Sequence, residues 1–118
     1  MKLLYDAVLP PSLSVEARGT LDLRRWDGAD AADTELVRSA AGSGYRAVIF
    51  LDRSSLDQPG LRTTAEEVGV ALVAVDADDP IEAKQRILRN APSLRRKLAD
   101  YDCLLILAGE VRPLDEPD

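Results

Sequence analysis

The run Ala47-Val48-Ile49-Phe50-Leu51 limits the fold more than any other feature of this chain. Five apolar residues without alternation describe a strand buried on both faces, as in a parallel sheet covered by helices. Similar segments recur at 3–8, interrupted only by Asp6, at 70–75 and at 103–108. Residues 20–26 alternate instead, with Leu21 and Leu23 against Asp22 and Arg24, as a strand does. Helical punctuation fills the intervals. Pro10-Pro11 and Ser12 open a turn or two that end near Gly19, and 27–31 read as a loop. A helix over 32–41 carries Leu36, Val37 and Ala40 at helical spacing and stops at Gly42 and Gly44; another over 61–68 stops at Gly69. Asp79-Pro80 opens a further helix, which Pro92 interrupts before a second segment over 93–99 anchored by Leu94 and Leu98.

Strand and helix thus alternate along the chain. The expected fold is α/β, a three-layer sandwich with a mainly parallel central sheet of about five strands and helices on both faces. A length of 118 residues suits one domain, expected over 1–108, with 109–118 a polar, mobile tail.

Composition narrows the chemistry. The chain has no histidine, which excludes Ser-His-Asp and Cys-His nucleophiles, histidine zinc sites and histidine general-base catalysis. Its one cysteine, Cys103, lies in an apolar run and is expected to be a small core residue. The net charge of −6 is opposite to the footprint of a typical nucleic-acid binder, so acids must be concentrated at one place and cations at another if a polyanion is the substrate. The opening Met1-Lys2-Leu3-Leu4-Tyr5-Asp6 lacks the form of a signal peptide, and no run approaches a membrane span; a cytoplasmic location without membrane association is expected.

The remaining candidates are carboxylates. Ligands of open parallel sheets bind beyond the carboxyl ends of the strands. Asp6, Asp52 and Asp76 end apolar strands there, Asp33 opens the second helix toward the same edge, and Glu35 follows it. Carboxylates brought together stay ionised when Mg²⁺ or Mn²⁺ neutralises them, and such an ion allows phosphodiester cleavage without histidine. Capping and turn formation are competing roles for Asp33 and Asp76, since both uses recruit aspartate. Asp6 interrupts an apolar strand, where an unpaired carboxylate is expensive, and so points to function.

Three segments resemble a known family. Leu3-Leu4-Tyr5-Asp6-Ala7-Val8-Leu9-Pro10-Pro11-Ser12-Leu13 resembles the opening of small bacterial PIN-like proteins related to VapC-type toxins. Gly28-Ala29-Asp30-Ala31-Ala32-Asp33-Thr34-Glu35-Leu36 resembles their second helix start, and Val48-Ile49-Phe50-Leu51-Asp52-Arg53-Ser54 resembles their acid-bearing strand end. The resemblance implies a PIN-like fold and metal-dependent endoribonuclease activity. It makes Asp6, Asp33 and Asp52 the catalytic metal ligands, with Glu35 a substitute for Asp33. RNA is then the substrate, and an antitoxin or other protein, or a second copy in a homodimer, the partner. Arg24, Arg25 and Arg53 are candidate phosphate contacts, and Trp26 is a base-stacking or packing residue. The cations Arg86, Arg89, Arg95, Arg96 and Lys97 read as a solvated helix face.

Two acids of the family pattern are replaced here, by Ala7 and Ser54, which removes oxygen ligands and charge from the site. Asp57 or Asp76 are the available compensators. The alternative is a catalytically inactive PIN-like domain that binds a protein. A third reading is a receiver-like phosphoacceptor domain. It has to accept Ala7, Ala77 and Gly109 where an acid, a hydroxyl and a lysine are needed.

Overall fold

Long apolar runs need partners on both sides and covers on both faces, and the computed structural model supplies them. It describes residues 1–26 and 32–114; the loop expected over 27–31 and the last residues of the expected tail lie outside the described residues. The strands are β1 (Lys2–Tyr5), β2 (Asp22–Arg25), β3 (Ala47–Leu51), β4 (Ala71–Val75), β5 (Cys103–Ile106) and β6 (Val111–Pro113). The helices are α1 (Leu13–Glu16), α2 (Asp33–Gly42), α3 (Leu61–Val68), α4 (Pro80–Arg89) and α5 (Ala91–Lys97), with a 3₁₀ turn over Arg53–Asp57. The six strands form one sheet in the order β2-β1-β3-β4-β5-β6. The first five are parallel and β6 is antiparallel to β5.

The alternation of side chains along the strands divides the interior in two. Leu3, Tyr5, Leu23, Ile49 and Val73 face one core, closed by Leu13 of α1, Ala83 and Ile87 of α4, and Ala91 and Leu94 of α5. Leu4, Val48, Phe50, Leu72 and Ala74 face the other, closed by Leu36, Val37 and Ala40 of α2 and by Leu61 and Ala65 of α3. The molecule is therefore a three-layer α/β sandwich. Leu94 and Leu98 are both fully buried, as their spacing predicts.

Several boundaries differ from expectation. β1 stops at Tyr5 rather than running to Val8, because the chain turns there: Leu9 N–H donates to Asp6 O at 3.0 Å. Asp6 thus lies just past the strand, not within it. Pro92 lies in the first turn of α5, which begins at Ala91, instead of interrupting a helix. The break falls at buried Asn90, whose Nδ2 donates to Arg86 O at 2.8 Å and to Leu107 O at 3.1 Å. Cys103 is half-buried, since it opens β5 at the margin of the second core.

The segment expected to be a mobile tail instead supplies a sixth strand over Val111–Pro113. A tight reversal makes this possible: Leu107 N–H donates to Glu110 O at 2.8 Å and Leu114 N–H to Cys103 O at 3.0 Å, while Val111 is buried. No helix among the described residues is long and apolar enough to cross a membrane.

Candidate acidic site at the carboxyl edge of the sheet

In this strand order the chain winds to one side from β1 into β2 and to the other into β3, so the crevice between loops opens beyond β1 and β3. Asp6 and Asp52 are the first residues past those strands.

Asp6 is held beside β3 by its own N–H, which donates to Ile49 O at 3.0 Å. Its Oδ1 accepts from Val8 N–H at 3.4 Å. The side chain is half-buried, and that burial pushes its pKa above the usual carboxylate value; the nearby Asp33 charge pushes it further. Hydrogen bonds from the Val8 and Ala7 N–H groups and the charge of Arg25 pull the other way without cancelling the rise.

Asp33 is the first residue of α2. The N-cap position is Ala32, which has no capping side chain, so Asp33 serves as a first-turn acid. Its Oδ2 accepts from Gln58 Nε2, at the exit of the 3₁₀ turn. Gln58 carries no local signal in the sequence; only the packing of two segments 25 residues apart makes it a neighbour of the site. Glu35, also in the first turn of α2, is exposed.

Asp52 differs from both. It is exposed, and its backbone sits at φ 76°, ψ 132°, a region that a side chain makes costly. Its Oδ1 accepts from Ser54 N–H at 3.2 Å, closing a small loop that starts the 3₁₀ turn. That bond, helped by the Ser54 side chain and Arg53 N–H, holds its pKa below the usual value.

The charge of Asp33 therefore reaches Asp6, whereas the charge on Asp52 is governed by its own turn. Among the described residues no group of three or more Asp, Glu, Cys or His is arranged to hold a metal ion. Asp57 and Asp76 are both exposed, and Asp76 O accepts from Arg86 Nη1. The carboxylates of Asp6 and Asp33 offer hard oxygen donors that water can reach. That fits Mg²⁺ or Mn²⁺, which keeps several waters and completes its shell with substrate phosphate, rather than an all-protein cage.

The candidate phosphate-binding arginines separate in the same way. Arg25 lies beside the pair, its Nη2 donating to Ala7 O at 2.7 Å and its charge acting on Asp6. Arg24 is turned to Asp22, with Nε 3.0 Å from Oδ1. Arg53 follows Asp52 and is exposed. Trp26 is half-buried, packs on the second core, and donates its backbone N–H to Tyr5 O at 2.9 Å. The larger group of cations belongs to the other layer: Arg86 pairs with Glu82 at 2.5 Å and Arg89 reaches Ala108 O at 3.4 Å, both on α4. Comparison of the chain with protein-family models, with curated proteins and with solved structures finds no match.

Proposed function

We propose that the chain is a PIN-like endoribonuclease with a reduced acid set, in which Asp6 and Asp33 hold one Mg²⁺ or Mn²⁺ at the carboxyl edge. The observation that carries this reading is placement: half-buried Asp6 is the first residue past β1, at the crevice between the exits of β1 and β3, and the charge of the first-turn acid Asp33 of α2 reaches it. The charge of Asp33 opposes ionisation of Asp6, and a hard cation would relieve that opposition. When bound, such an ion activates water and offsets charge on the leaving oxygen. Arg25, fixed against Ala7 O, gives the site a cation for an RNA phosphate, and Gln58 orients Asp33. The replacements at Ala7 and Ser54 lower the affinity for the ion and hence the rate.

Titration with Mn²⁺ followed by calorimetry, together with metal-dependent cleavage of a labelled RNA, tests the reading. Wild type binds one ion and cleaves slowly; Asp6→Asn and Asp33→Asn each lose at least tenfold in affinity. Absence of Mn²⁺ binding at millimolar ion would end the proposal. The same fold as a toxin of a toxin–antitoxin pair carries its own check, a small antitoxin-like reading frame beside the gene.

A second reading, a catalytically inactive PIN-like interaction domain, is favoured by the replacement of two acids by Ala7 and Ser54 and by the net charge of −6. It requires no ion, no cleavage and an unchanged melting temperature in chelator. A receiver-like role would be detected as phosphorylation of exposed Asp52 by a small phosphodonor.

A further inference from the structure

β2 is an edge strand, paired with β1 on one side only. Trp26 N–H donates to Tyr5 O, which fixes the phase of the ladder: even-numbered residues of β2 turn their backbone groups to β1, and Leu23 and Arg25 turn theirs outward. No partner for these outward groups exists among the described residues. The outer side of the strand is hollow, with a cavity of about 600 Å³ lined by Leu21, Asp22, Leu23 and Arg24 and flanked by Arg18 and Arg95.

Edge strands are often protected by charge, and the protection is strongest where like charges would stand directly opposite one another. Here the two outward-exposed side chains on one face of β2 have opposite signs. Asp22 and Arg24, two residues apart, are about half exposed and pair with each other at 3.0 Å. We propose that this edge joins the same edge of a second copy, antiparallel about a two-fold axis at Leu23, to make one continuous twelve-stranded sheet.

The register follows from the sequence of the strand. With Leu23 opposite Leu23 of the second copy, the outward N–H and C=O groups of the two residues bond reciprocally, and each Arg25 N–H meets the other copy's Leu21 carbonyl. Leu21 N–H is already committed to Ala17 O at 3.0 Å, so the ladder ends there. Asp22 of each copy then stands directly opposite Arg24 of the other in the closely spaced, non-hydrogen-bonded position, giving two equivalent ion pairs. Centring on Arg25 would set arginine against arginine, and centring on Leu21 would leave Asp22 opposite Thr20. Only the Leu23 axis satisfies both charges. This association does not depend on the nuclease reading, since the antiparallel arrangement directs the two carboxyl edges away from each other.

Sedimentation of the full chain over a wide concentration range tests the proposal. Wild type dimerises. Asp22→Arg and Arg24→Asp each place like charges opposite one another twice per dimer and raise the dissociation constant roughly tenfold or more. The double variant D22R/R24D restores the wild-type value, and an equimolar mixture of the two single variants forms a heterodimer. A chain monomeric up to several hundred micromolar overturns the proposal. So does a dimer indifferent to both single substitutions, or one that the charge swap fails to restore.

Discussion

Asp6 and Asp52 occupy equivalent places, each the first residue beyond a buried parallel strand at the same edge of the sheet, yet their surroundings oppose each other. After β1 the chain turns inward toward Leu9, which is fully buried, and leaves Asp6 half-buried beside Asp33. After β3 the chain turns outward into a 3₁₀ turn, which lifts Asp52 into solvent and feeds it the Ser54 N–H. One residue holds its charge against desolvation and a like charge; the other has its charge stabilised and instead carries backbone strain. An apolar run followed by aspartate is therefore not one structural signal but two, and the path of the next few residues decides which.

The sharpest way to break this contrast is ion binding. Asp6→Asn is expected to weaken Mn²⁺ binding by tenfold or more, whereas Asp52→Asn changes it by no more than a few-fold; equal losses in calorimetry would mean that Asp52 is also a ligand. The next largest effect concerns acid stability, where the two residues have opposite signs. The folded pKa of Asp6 lies above the ordinary aspartate value of 3.8, so the native state holds the proton more tightly and this residue's stabilising effect is lost as pH rises through its folded pKa. The folded pKa of Asp52 lies below 3.8, so its contribution is present above 3.8 and disappears as pH falls through the folded value. Thermal melts across acidic pH should show Asp6→Asn more stable than wild type at neutral pH, with the difference shrinking as pH falls. Asp52→Asn should show its deficit at neutral pH and converge on wild type in strong acid.

A smaller effect isolates the strain. At φ 76° glycine meets no penalty, so Asp52→Gly should melt a few degrees above Asp52→Ala, both lacking the carboxylate. The smallest is Ser54→Ala: removal of the hydroxyl should raise the Asp52 pKa measured by NMR while the backbone bond persists and the melting temperature moves by about a degree or less.

The sheet was largely legible because unbroken apolar runs such as Ala47–Leu51 have no stable home except between two layers, and the alternation along β2 identified its one buried face through Leu21 and Leu23. β6 was not legible: three residues, one of them proline, carry no periodicity, and their pairing comes from the reversal at Leu107 and Glu110. In the site, Asp6 announced itself as a charge next to Leu3, Leu4 and Tyr5, all buried. The tie between Asp33 and Gln58, the turning of Arg24 toward Asp22 and the bridging amide of Asn90 depend on contacts that no local pattern encodes.

The antiparallel closing strand has a further consequence for how the molecule can grow. In β6 the bonds at Leu107, Glu110 and Leu114 set the phase, leaving Val111 and Pro113 to present the far rim, and proline has no N–H to offer. That rim is a poor template for another chain. Among the described residues the β2 border is then the receptive one, so the proposed joining is finite: it uses up both such borders, and no filament can propagate from the product.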